Sequence, residues 1–149
     1  MSTRSITIVY NNDSQPLVCL YRQFDGYPSG HGKELADFLT PVTLVTPVNG
    51  IGLTAKRTAK RTADGMDCLA AQLVAHFKKE VGGFYLMPLV KNPDYGQEYE
   101  YHVYSDMVLV NKVLVNKVFV HDGYYKMNWS GIFTGGWHSF KDFCEQSDE

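Results

Sequence analysis

The sequence predicts an α+β fold, an antiparallel sheet of about five to seven strands with two or three helices packed on it, forming one domain over residues 1–149. Three observations lead there. Extended runs rich in β-branched and aromatic residues occur as pairs joined by turn formers, which is the pattern of hairpins. One amphipathic helix divides the pairs. The helices are too few to act as the crossovers that a doubly wound parallel sheet requires.

The elements follow in chain order. Residues 6–10 and 17–24 read as strands, and Asn11-Asn12-Asp13-Ser14-Gln15-Pro16 between them is dense in turn formers, so the two make a hairpin. A glycine-rich loop then opens a short helix over 33–39. Leu35, Phe38 and Leu39 have helical spacing there, and Thr40-Pro41 ends it because the residue before proline avoids the helical region. Residues 42–52, with Pro47, Gly50 and Gly52, read as a loop holding one short extended piece. The main helix spans 64–81, where Met66, Leu69, Ala70, Leu73, Val74, Phe77 and Val81 recur on one face, Asp64 caps the start and Gly82-Gly83 supplies the exit. Strands at 84–87 and 98–104 enclose the turn residues Asn92-Pro93-Asp94-Tyr95-Gly96, and the second of them alternates charged or polar residues with aromatics. Residues 113–121 and 124–129 form a further hairpin about Asp122-Gly123. Ser139 and Asp142 set the start of a short final helix carrying Phe140 and Phe143.

Two tandem duplications interrupt this order. Thr54-Ala55-Lys56-Arg57 recurs as Thr58-Ala59-Lys60-Arg61, and Val108-Leu109-Val110-Asn111-Lys112 as Val113-Leu114-Val115-Asn116-Lys117. A five-residue shift along a strand exchanges its faces, so a bulge, turn or loop must fall within one copy of the second pair.

Composition narrows the function classes. A net charge of −2 argues against a protein that coats nucleic acid, which makes a nucleic-acid partner unlikely as an expectation. No apolar run reaches membrane-spanning length and the first ten residues lack a signal-peptide core, so a cytoplasmic location without a membrane partner is expected. The three cysteines, Cys19, Cys68 and Cys144, have no paired spacing and read as free thiols.

The residues most suited to chemistry lie in Tyr21-Arg22-Gln23-Phe24-Asp25-Gly26-Tyr27-Pro28-Ser29-Gly30-His31-Gly32-Lys33. Glycines permit backbone N–H groups to converge, and a helix start adds unpaired donors, so the segment suits a phosphate or carboxylate with Arg22 and Lys33 beside it. It is not a P-loop: Gly26 and Gly32 enclose five residues where four are needed, and Glu34 follows Lys33 where a Ser or Thr should bind magnesium. A purely structural role, with the glycines steering the chain into the helix, is the competing reading. His31, between two glycines, is expected to be accessible to a ligand or proton. Trp129 and Trp137, set among glycines, suit stacking on a planar ring or plugging the core. The basic run Lys56, Arg57, Lys60 and Arg61 reads as a solvated loop. No metal site, cofactor or catalytic set is expected, since no ligand spacing or nucleophile motif is present.

The opening Met1-Ser2-Thr3-Arg4-Ser5 and the block Phe24-Asp25-Gly26-Tyr27-Pro28 with its following glycines resemble small proteins of phages, prophages and bacteria that begin Ser/Thr-Arg-Ser and carry an aromatic-Asp-Gly-Tyr-Pro block after their second strand. The resemblance covers mainly the first forty residues. It implies phage counter-defence, including sponges for nucleotide-derived immune signals. Together these readings lead to a non-enzymatic binding protein that sequesters a phosphate-bearing nucleotide-derived molecule, with Arg22, Tyr27, Ser29, Gly30, His31, Gly32, Lys33, Trp129 and Trp137 as its site. A protein that inhibits a host defence enzyme by direct contact is the alternative, and an enzyme acting on phosphoesters through His31 ranks below it. The expected partners are that small molecule, a host defence protein and a further copy of the chain.

Overall fold

Alternating side chains and short turns build, among the described residues, a mixed six-stranded sheet whose strands lie side by side in the order Phe84–Leu86, Pro16–Arg22, Ser5–Tyr10, Tyr99–Val103, Met107–Val113 and Phe119–Lys126. A computed structural model describes residues 2–39, 42–45, 61–105, 107–113 and 119–126. Strands β1 (Ser5–Tyr10) and β2 (Pro16–Arg22) form the expected hairpin, with Ser5 opposite Arg22 and Ile8 opposite Cys19. A π-helical turn, Pro28–Gly32, leads into α1 (Lys33–Leu39). The extended piece expected after it is β3 (Val42–Val45), which pairs in parallel with β4 (Arg61–Asp64) as a separate two-stranded sheet. Helix α2 (Gly65–Phe77) follows, then β5 (Phe84–Leu86), β6 (Tyr99–Val103), β7 (Met107–Val113) and β8 (Phe119–Lys126). This is the α+β class that the sequence predicts. One pairing departs from an all-antiparallel arrangement: β6 lies beside β1 and runs parallel to it, with Thr7 opposite Tyr101 and Ile8 opposite His102.

Strand alternation gives the sheet two unlike faces. Val9, Leu20, Tyr101, Val103, Val108 and Val110 point to one side and pack with Leu35, Phe38 and Leu39 of α1 and Met66, Leu69 and Leu73 of α2 in the main core. The opposite face carries a smaller cluster of Ile6, Ile8 and Cys19, flanked by Tyr10, Tyr21, Met87 and Tyr95. Helices therefore cover the first face only, among the described residues.

Three local expectations need correction. Helix α2 stops at Phe77 instead of continuing to 81, because Lys78 turns extended, with φ −91° and ψ 94°. Its ammonium then donates to the carbonyls of Gly82 (3.1 Å) and Phe84 (2.8 Å). The positive φ of Gly82 and Gly83, both 78°, swings the chain back so that Phe84 pairs with Arg22, and Val81 is left fully exposed. Asp64 precedes the helix, yet its side chain makes no cap hydrogen bond. The Asp122-Gly123 pair is not a hairpin turn: β8 runs through it, and the pairing steps from Val110↔Gly123 to Asn111↔His121. Asp122 is thus the extra residue of a bulge. The same register shift falls within the first copy of the Val-Leu-Val-Asn-Lys duplication, which lies wholly in β7. Most of its second copy, the duplication at 54–61 apart from Arg61 and the final helix lie outside the described residues.

No described helix is long and apolar enough to cross a membrane. Leu73 has no solvent exposure and sits between α2 and the sheet. Replacing it with alanine should cost about 2–5 kcal/mol of unfolding free energy in urea titrations. A loss below about 0.5 kcal/mol would mean that the packed face of α2 is misassigned.

Candidate functional site

The glycine loop spends its donors on backbone carbonyls of its own and of the N-terminal segment. The N–H of Gly26 donates to Thr3 O (2.8 Å), that of Gly30 to Tyr27 O (2.9 Å), that of His31 to Asp25 O (2.8 Å) and that of Gly32 to Tyr27 O (3.4 Å). The Lys33 N–H is likewise directed at the carbonyls of the π-helical turn. The expected anion cradle is therefore closed onto protein carbonyls. Close approach explains two of its glycines: a Cβ on Gly26 would lie 2.7 Å from Ser5 Cβ, and one on Gly30 would lie 2.5 Å from the carbonyl oxygen of Asp25.

Arg22 has found its anion in Glu34. Its guanidinium donates to both Glu34 carboxylate oxygens (2.9 and 3.3 Å) and to Phe24 O (2.6 Å), and it lies over the Phe84 ring. Arg22 NH1 also meets Nδ1 of His31 at 3.2 Å. Arginine can only donate, so Nδ1 is an acceptor and Nε2–H donates to Thr7 Oγ1 at 2.7 Å. His31 has no exposed surface and packs on Phe77 and Tyr101, which overturns the expectation of an accessible ring. Burial, reinforced by the Arg22 charge, lowers its pKa to about 3. Tyr27 is half-buried, its hydroxyl donating to Asp25 Oδ1 at 3.2 Å, Ser29 is half-buried in the π-helical turn, and Lys33 is exposed. Trp129 and Trp137 lie outside the described residues. The structure thus joins Arg22, His31 and the loop glycines into a strut between the sheet and α1.

A second constellation occupies the face that no described helix covers. There Tyr10, Cys19, Glu100, His102, Tyr104 and Asn111 line a cavity of about 700 Å³, which Pro88, Leu89 and Val90 border on the exposed side. Strand pairing assembles it: Glu100 faces Asn111, and His102 lies between Ile8 and Leu109. Tyr10 stacks on Tyr104 with ring centroids 4.3 Å apart and 8° between planes. Its hydroxyl meets His102 Nδ1 at 2.6 Å, and His102 Nε2 meets Glu100 Oε1 at 3.0 Å. Glu100 Oε2 accepts from Gln97 Nε2 at 2.9 Å, and Gln97 in turn pins the loop through Pro93 O and the Tyr95 N–H.

The electrostatics follow from this network. Burial alone would raise the Glu100 pKa, but hydrogen bonds from His102, Gln97 and Asn111 outweigh it and hold the carboxyl below its ordinary value. Burial, with Tyr104 and Glu100 adding to it, pushes the Tyr10 phenol upward, so it keeps its proton and donates to His102. Burial and Glu100 raise the Cys19 thiol to about 11, which removes it as a nucleophile near neutrality. Asn111 Oδ1 is buried with no hydrogen-bond partner among the described residues. Neither Lys nor Arg lines the cavity among the described residues, whereas Glu100 and Asp94 do. The sequence carried one signal of this site, the polar–aromatic alternation of 98–104, which placed Glu100, His102 and Tyr104 on one face.

No family model matches this sequence, and no curated protein or solved structure is detectably similar to it.

Two outcomes test the strut. Arg22→Ala should lower stability by about 1–3 kcal/mol, because it leaves the buried His31 Nδ1 without a donor; an unchanged denaturation midpoint would contradict this. His31 is also an acid-labile element. Below pH 6.5 the unfolded chain binds a proton on this histidine that the folded chain refuses until about pH 3. Its contribution is full above 6.5 and falls with pH at about 1.4 kcal/mol per unit. Glu100 adds to that loss only below 4.5. Urea midpoints between pH 7 and 5 should therefore fall less steeply in His31→Gln than in the unaltered chain, and equal slopes would contradict the assignment.

Proposed function

We propose that this chain is a non-enzymatic small-molecule binding protein whose site is the cavity on the outer sheet face. The observation that carries the reading is a buried, ionised Glu100 beside an Asn111 carbonyl that has no partner among the described residues, at the floor of a cavity of about 700 Å³ with an aromatic Tyr10–Tyr104 wall. An unsatisfied buried acceptor costs about 1–3 kcal/mol, and a ligand donor that reaches it recovers this. A flat ring against tyrosines, oriented by a few buried polar groups, is the usual composition of a small-molecule site.

The charge pattern decides what part of a nucleotide-derived ligand the cavity suits. Its acidic lining repels phosphate, so a base or nucleoside enters and any phosphate remains at the solvent side. The phosphate-first binding expected of the glycine loop gains no support from a loop whose donors are already engaged. His31 is equally unsuited to acid–base work on a phosphoester, since both ring nitrogens are occupied and the ring is enclosed. Sequestration of a nucleotide-derived signal during phage counter-defence, as the N-terminal resemblance implies, is the biological use we propose for the pocket.

A second reading is inhibition by direct protein contact. Tyr85 and Leu86 on edge strand β5, with Leu89 and Val90 beyond it, are all roughly half or more exposed and form an apolar border.

Calorimetric titration with adenosine, guanosine, cytidine, uridine and their 5′-monophosphates tests the binding reading. At least one nucleoside should bind, and its 5′-phosphate should not tighten binding. Binding that requires the phosphate, or no binding by any of the eight compounds, would contradict the proposal.

A further inference from the structure

The hydrogen-bond inventory of the outer cavity specifies its ligand further. Gln97 gives its amide hydrogens to Pro93 O and Glu100 Oε2 (both 2.9 Å), and its own carbonyl accepts the Tyr95 N–H at 2.8 Å. His102 Nε2–H is given to Glu100 at 3.0 Å, and the Tyr10 hydroxyl to His102 Nδ1 at 2.6 Å. The Asn111 amide also bonds Glu100. The donors named here are engaged within the site. Acceptors are left over among the described residues: a carboxylate offers about four lone-pair positions, of which His102, Gln97 and Asn111 use three, and Asn111 Oδ1 has no partner there.

Glu100 and Asn111 are register partners on β6 and β7, so their side chains lie on one face of the sheet. The carboxylate is ionised, no Lys or Arg lines the cavity among the described residues, and Asp94 adds a second acid at the border. A ligand that fits brings donors and no anionic group to the floor.

Resting on the binding reading above, we propose that the cavity selects planar heterocycles presenting two adjacent N–H donors, the edge formed by a ring N–H and a neighbouring exocyclic amine, as in guanine. One donor goes to the Glu100 carboxylate and the other to Asn111 Oδ1, with the ring alongside Tyr10 and Tyr104. A ring that offers a single donor on that edge leaves one buried acceptor unpaired. Charge-assisted bonds of this kind make the difference large enough to read as affinity.

The test is calorimetric titration of the unaltered chain with guanosine, inosine and adenosine. Inosine keeps the ring N–H of guanosine and lacks only the exocyclic amine, and adenosine lacks the paired donors. Guanosine should bind at least about tenfold more tightly than either. Glu100→Gln, which leaves one carbonyl oxygen in place of the two that meet His102 and Gln97, should weaken guanosine at least as much and narrow its advantage over inosine. Melting temperatures measured without ligand establish that the variant is folded, and the comparison among ligands on the unaltered chain does not depend on it. Inosine or adenosine binding as tightly as guanosine would overturn the two-donor assignment while leaving the cavity a binding site. Absence of binding by all three would overturn the two-donor assignment, and only absence of binding by cytidine and uridine as well would overturn the binding reading.

Discussion

The in-register parallel pairing of β1 with β6 is the constraint on which the rest depends. Alternation along a strand has a period of two, so this register decides which side chain meets which on both faces at once. On the inner face it sets Thr7 beside Tyr101, where Thr7 receives the His31 ring and Tyr101 packs against it. On the outer face it sets Ile8 beside His102 and brings Tyr10 to Tyr104. A slip of one residue would turn Glu100 and His102 into the apolar core and Tyr101 out to the cavity. The cost of an ionised carboxylate in a helix-covered core makes that register inaccessible.

The inner-face network shows how a buried histidine becomes structural. Its ring joins Thr7 on β1 to Arg22 on β2, and Arg22 continues the chain of contacts to Glu34 on α1. The Tyr101 hydroxyl, donating to Gly26 O at 2.8 Å, anchors the loop from β6. Glu34 is half-exposed, so its ion pair with Arg22 contributes little by itself. The larger effect is that each buried polar atom of the histidine has a partner, whereas removal of any one member strands another.

What the sequence revealed, and what it concealed, divides along contact distance. The β1–β2 hairpin, α1, β5 and β6 were legible because their signals are local: alternation, turn formers, a helical stripe. The end of α2 was not, since Val81 continues the apolar period while the pairing of Phe84 with Arg22, a tertiary demand, stops the helix earlier. Asp122-Gly123 carries turn chemistry that a bulge uses equally well. His31 looked exposed from its glycine neighbours, but its burial is decided by Thr7, 24 positions away, and by Tyr101. The outer cavity was half-legible: 98–104 displays the alternation, yet Tyr10 lies 92 positions from His102 and Asn111 reaches Glu100 only through β7.

The proposed ligand binding on the outer face and the glycine loop's part in holding the fold are two claims that a single titration separates. Amide chemical shifts of the ¹⁵N-labelled protein, followed as guanosine is added, report both regions at once. Saturable shifts are expected at Tyr10, Glu100, His102, Tyr104 and Asn111, with residues 25–33 unmoved. Shifts centred on Gly30, His31 and Lys33 with a silent outer face would contradict this and return the glycine loop to the role of binding site.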